Sequence, residues 1–91
     1  PPAEPPQLGE MLAAGERSQL LQQYEASAGE ARQVLERAGA ARLSASQTQS
    51  ADRIRTFLTQ AENLTAEDPR AAAELARRAA LLARDLAKSL R

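Results

Sequence analysis

The sequence predicts an all-α fold, an antiparallel three-helix bundle preceded by a Pro-rich extended N-terminus. Three observations carry that reading. Ala, Leu, Arg, Glu and Gln, all strong helix formers, make up most of the chain. Apolar residues recur at three- and four-residue spacing in three separate stretches. The short segments between those stretches carry the residues that begin and end helices.

The chain opens with PPAEPPQ. Proline fixes φ and has no amide proton to donate, so residues 1–7 are expected to form an extended tether. Such a start fits either a ragged terminus or a spacer that follows a cleavage site or lipid-bearing residue outside this sequence. Leu8, Met11 and Leu12 come next. At about 100° per residue they project roughly opposite a stripe formed by Leu20, Leu21, Tyr24, Ala28, Ala31, Val34, Leu35 and Ala38. The opposed phases predict a discontinuity between Met11 and Arg17, near Gly15. Residues 8–14 then form a separate short helical segment, and residues 15–91 form the bundle, with a main helix over about 16–42. Gly29 and Gly39 fall inside that helix, where each costs up to ~1 kcal/mol relative to Ala. They are either tolerated or mark a bend or a close helix approach.

Ser44 followed by Gln47 has the capping-box spacing, so a second helix is expected over about 45–64. Its stripe is Ile54, Phe57, Leu58, Ala61 and Leu64, with Phe57 expected in the core. Asp68 is a good N-cap and Pro69 suits the first helical position, which predicts a third helix over about 69–90. So short a connection makes the second and third helices antiparallel neighbours. Ala72, Leu75, Ala76, Ala79, Leu82, Ala83, Leu86, Ala87 and Leu90 gather on one broad arc, leucines to one side and alanines to the other. The third helix is therefore expected to touch two neighbours. Adjacent leucines cannot share one face: Leu82 belongs to the core arc, and Leu81 points outward among Arg77, Arg78, Arg84, Asp85 and Lys88. The longer first helix is expected to overhang at its N-terminal end, around Leu20, Leu21 and Tyr24. Tyr24 stands there at either the core edge or an interface.

Composition excludes several classes of function. Cysteine and histidine are both absent, which removes disulfides, thiolate metal sites and the commonest general base. Twelve basic residues balance twelve acidic ones, and Tyr24 and Phe57 are the only aromatics. Neither a net field nor a stacking platform for nucleic acid is present. No apolar run approaches the ~20 residues needed to cross a bilayer. Glu67 and Asp68 read as helix-start acids, and Glu25, Glu30 and Glu36 with Arg32 and Arg37 as solvated charges in i, i+4 pairs. The serines and threonines of SASQTQS lack a basic partner nearby in sequence. No catalytic, cofactor-binding or metal residue is predicted.

Residues 53–86, RIRTFLTQAENLTAEDPRAAAELARRAALLARDL, resemble a helical hairpin of the tetratricopeptide type, with a short acidic turn followed by an A-x-x-L-A-x-x-A pattern. The chain holds no second copy of this unit, whereas a solenoid needs at least three. The order of a Pro-rich start, LGEML, a long helix, RLSASQ, IRTFLTQAE and AAELARRAALLARDL is also similar to a group of uncharacterised bacterial envelope proteins, many of them lipoprotein-like. That resemblance implies export to the periplasm or cell envelope, with membrane contact only through a lipid anchor outside this sequence. Without it, a cytoplasmic location is expected. The expected function is a non-enzymatic helical interaction module, an accessory or adaptor subunit of a larger assembly. The alternative is a structural homodimer joined through the overhanging first helix. Candidate interface residues are Leu81, Leu8, Met11, Leu12, Leu20 and Tyr24. No nucleic acid, small-molecule substrate or cofactor is expected.

Overall fold

The computed structural model describes residues 8–90, with side-chain surroundings for 13–90. Among the described residues the fold is all-helical: α1 (Leu8–Gly39), α2 (Ala45–Leu64) and α3 (Pro69–Ser89). The three pack as an antiparallel bundle in which α3 is the central member. It lies along both α1 and α2, which touch each other much less.

The two inter-helix boundaries are set by local chemistry. The Ser44 hydroxyl accepts from the Gln47 amide at 3.2 Å, and the Gln47 side chain accepts from the Ser44 amide at 2.8 Å. Two of the free backbone donors at the start of α2 are thereby satisfied. At the start of α3 the Asp68 carboxylate accepts from the Ala71 amide at 3.1 Å, and Pro69 occupies the first turn. Residues 65–68 connect α2 to α3, so these helices return antiparallel as the sequence predicts.

The first helix differs from the expectation. α1 runs unbroken from Leu8 through Gly39, and the discontinuity near Gly15 is absent. Residues 8–14 are thus the first turns of α1 rather than a separate segment. Two facts explain this. Gly15 does not adopt the left-handed backbone that stops a helix, and one interior glycine costs only up to ~1 kcal/mol against neighbours that favour helix. The phase argument also presumes a core beside both ends of the helix. Glu16 pairs with Arg70 and Glu30 with Arg84, a constant offset of 54 residues. α1 and α3 therefore run parallel in one register, and Pro69 stands level with residue 15. Residues 8–14 project beyond the first turn of α3, by roughly 10 Å at 1.5 Å per residue. The overhang begins there and not around Leu20, Leu21 and Tyr24. At its other end α1 stops at Gly39, short of Arg42, and tightens into a turn in which the Ala40 amide donates to the Arg37 carbonyl at 3.2 Å. The Pro-rich tether predicted over 1–7 lies outside the described residues.

The core is built largely from alanine. Among the described residues, eleven of the sixteen buried side chains are Ala, and Ile54 is the one large side chain that is fully buried. Tyr24, Val34, Leu58 and Leu86 complete it, with Leu20, Leu35, Leu43, Phe57, Leu64, Leu75, Leu82 and Leu90 packed against its edges. Alanine lets backbones approach closely, so α3 presents Ala73, Ala76 and Ala80 as well as its central Ala72, Ala79 and Ala83. Gly15, Gly29 and Gly39 play no part in that approach, since a Cβ added at any of them would meet nothing within 4 Å.

Candidate interaction surface

On the outer side of the α2–α3 pair, five side chains line a shallow surface depression. α2 contributes Arg53 and Phe57, and α3 contributes Arg78, Leu81 and Leu82. Helical spacing places each arginine about one turn before its apolar neighbours, four residues ahead of Phe57 and three or four ahead of Leu81 and Leu82. Leu82 and Phe57 are partly buried and rest on the core. Leu81 is 44 % exposed, the one large apolar side chain in that class among the described residues. The adjacent leucines thus divide as their 100° separation requires, although Leu82 reaches only the rim of the core. Phe57, expected in the core, instead shares its ring between the core edge and this depression.

The other candidate residues fall elsewhere. Tyr24 is 4 % exposed and belongs to the core, so it is no interface residue of this fold. Its hydroxyl accepts a hydrogen bond from the Arg32 guanidinium at 3.3 Å, which satisfies the polar atom that had left its place open. Leu20 is partly buried and lines a groove between α1 and α3 with Ala73, Arg70, Glu74 and Arg77. The side chains of Leu8, Met11 and Leu12 lie outside the described residues. Sequence reasoning missed Arg53 and Phe57 as surface partners of Leu81. The available signal was the place of Phe57 at the edge of its own stripe, with Arg53 one turn before it.

The ionised groups serve the helix packing. Arg84 donates to both Glu30 carboxylate oxygens, at 2.6 and 3.1 Å, and ties α3 to α1. Arg17 donates to the Ala66 carbonyl and Arg70 pairs with Glu16, fastening α1 beside the α2–α3 turn. Glu30 therefore pairs across the bundle, and no i, i+4 pair joins Glu25, Glu30, Glu36, Arg32 and Arg37 among the described residues. Hydrogen bonding from the Arg84 guanidinium holds the Glu30 carboxyl below its ordinary range, and Arg77 does the same for Glu74. A general acid requires the opposite shift. No cluster of three or more potential metal ligands occurs among the described residues, and no helix of the structure is long and apolar enough to cross a membrane. No family model, curated protein or solved structure matches the chain.

Proposed function

We propose that this chain is a non-enzymatic helical interaction module, an accessory or adaptor subunit that docks on another protein through the outer face of α2 and α3. One observation carries the reading: Leu81, a large apolar side chain, stays exposed beside Phe57 and Leu82 in a depression bounded by arginines. An apolar centre with a charged rim is how anchor residues are set in protein interfaces. The likeness of the sequence to lipoprotein-like bacterial proteins extends the proposal to an assembly of the cell envelope.

The second reading is a homodimer joined through α1. The length of α1 favours it: by the Glu16–Arg70 register Pro69 stands level with residue 15, so the helix that begins at Leu8 extends beyond the start of α3 and offers a surface for a second copy.

The test compares the wild-type chain with Leu81→Glu. Substitution of a side chain this exposed shifts stability by under ~0.5 kcal/mol. Both proteins should therefore show the same helicity and melting temperature. A protein retained from an extract of the source organism by the wild type and lost with Leu81→Glu is the expected result, with an affinity change of roughly 1–3 kcal/mol once the partner is purified. Retention of the same proteins by both chains would refute the docking face. Light scattering across concentration addresses the second reading, which requires a dimer that Leu81→Glu leaves intact.

A further inference from the structure

Arginines are the only charged residues lining the depression, and three apolar side chains fill the space between them. Three other surface grooves differ in this respect. The groove between α1 and α3 contains Glu74 as well as Arg77, already joined by hydrogen bonds of 2.8 and 3.2 Å. The groove beside the α2–α3 turn contains the Glu16–Arg70 pair. Between α1 and α2, Arg17 is spent on the Ala66 carbonyl and Arg32 on Tyr24. At the α2–α3 face Arg53 enters no ion pair among the described residues, because neighbouring Asp52 pairs with Arg55 at 3.0 Å. Arg78 has only a 3.6 Å approach to Glu74, whose shorter bonds go to Arg77. In a chain with equal numbers of acids and bases, this is a local positive excess beside an apolar patch.

We infer that the depression formed by Phe57, Leu81 and Leu82 docks an acidic amphipathic helix of a partner protein, an apolar anchor flanked on both sides by carboxylates. This rests on the interaction-module reading above and specifies its partner. The geometry sets the pattern. Gln47 of α2 bonds to Ser89 of α3, which fixes the antiparallel register of the two helices. Counting from that bond, Arg53 and Arg78 bound opposite ends of the apolar patch, about 7 Å apart along the axis. A helix that places apolar side chains at positions i+3 and i+4, with carboxylates at i and i+7, sets its anchor between two acids on one face. Those carboxylates stand about 10 Å apart along the peptide axis, and because side chains lean toward the N-terminus of their own helix, the guanidiniums of two antiparallel helices spread beyond their ~7 Å backbone spacing toward that separation. A second copy of this chain docking through the same face would place arginine against arginine, a like-charge arrangement that disfavours the pairing.

The test uses the full chain, isotope-labelled for NMR, and three synthetic helical peptides of one length. The first carries two leucines flanked by glutamates, the second the same leucines flanked by lysines, and the third the glutamates with alanines for leucines. The glutamate–leucine peptide should shift the signals of Arg53, Phe57, Arg78, Leu81 and Leu82 and bind about fivefold tighter than the lysine peptide at low salt. That preference should shrink as salt rises. The alanine peptide should bind at least tenfold more weakly, since it lacks the anchor. Arg53→Glu alone should erase the preference, and Arg53→Glu with Arg78→Glu should reverse it, with helicity unchanged in both. Equal binding of the first two peptides, shifts centred elsewhere, or no binding by the glutamate–leucine peptide would overturn the inference. So would a wild-type dimer that Leu81→Glu dissociates. Preference for the lysine peptide at this same patch would overturn the acidic partner while leaving the interaction module standing.

Discussion

Replacing Ile54 with alanine should cost the fold more than replacing Phe57 with alanine, although phenylalanine is the larger residue. Ile54 is fully buried where α2 meets α3, while Phe57 sits at the core edge with part of its ring on the surface depression. Ile54→Ala removes three carbons. At ~0.8 kcal/mol each their transfer amounts to about 2.4 kcal/mol. The cavity left in the buried cluster raises this to about 3–4 kcal/mol, because close-packed helices relax only partly into a void. Phe57→Ala loses only the buried part of the ring and leaves an opening that water can enter, which suggests about 1–2 kcal/mol. A chain of this length has roughly 5–14 kcal/mol in total. Ile54→Ala should therefore lower the melting temperature by on the order of 12–30 °C, and Phe57→Ala by about 4–16 °C. Urea denaturation followed by far-ultraviolet circular dichroism gives both values in one series. If Phe57→Ala proves as costly as Ile54→Ala, the ring is a core residue and the α2–α3 surface described above is wrongly drawn.

Gly29→Ala should stabilise the protein by up to ~1 kcal/mol, since Gly29 lies inside α1 with a helical backbone and an added Cβ meets nothing within 4 Å. A loss of stability in thermal melts would show a hidden contact at that position. Ala76→Leu should destabilise by about 1–3 kcal/mol in urea, because Ala76 is fully buried in the helix that both neighbours pack against. An unchanged midpoint would mean that the core has room for an isobutyl group. Glu30→Gln should lower the melting temperature at neutral pH by removing the acceptor of two bonds from Arg84. The folded carboxyl titrates below its unfolded value, so its stabilisation is complete above the ordinary carboxylate range and is lost as pH falls through the folded value. The difference between variant and wild type should accordingly shrink below about pH 4 and in high salt, and a constant difference would refute the pairing.

The parts of this fold that were legible in the sequence are those decided within a few residues. Ser44 with Gln47 and Asp68 with Pro69 fix where α2 and α3 begin, and each start lies where its capping residues place it. The three apolar stripes also identify the buried faces. What escaped depends on where a neighbouring helix stands. The phases of Leu8 to Leu12 and Leu20 to Leu35 are opposed, but that implies a break only where a core flanks both, and α3 begins level with residue 15. The spacing in α2 identifies its apolar stripe but not which residue lies at the centre of that stripe. Ile54 rather than Phe57 faces inward because α3 approaches from that side. Tyr24 finds its hydroxyl partner eight residues on, and Glu30 finds its own 54 residues on, distances that helical periodicity alone does not anticipate.

The alanine-rich core and the exposed leucine have a common origin in the position of α3. A helix packed on two sides at short distance must carry small side chains over most of its circumference, which accounts for Ala72, Ala73, Ala76, Ala79, Ala80 and Ala83. Its larger side chains are then confined to places where neighbours stand farther off. Leu86 fills one buried position, Leu75, Leu82 and Leu90 lie along the core edge, and Leu81 is left on the outer face. Folding places less demand on Leu81, which is 44 % exposed and lies outside the buried cluster and its packed edge. Leu82 is different, since its side chain contributes to both the core edge and the depression. Substitutions at these two adjacent positions therefore separate the demands of stability from those of contact. A polar residue at Leu82 disturbs both, whereas a polar residue at Leu81 alters only what the surface can bind.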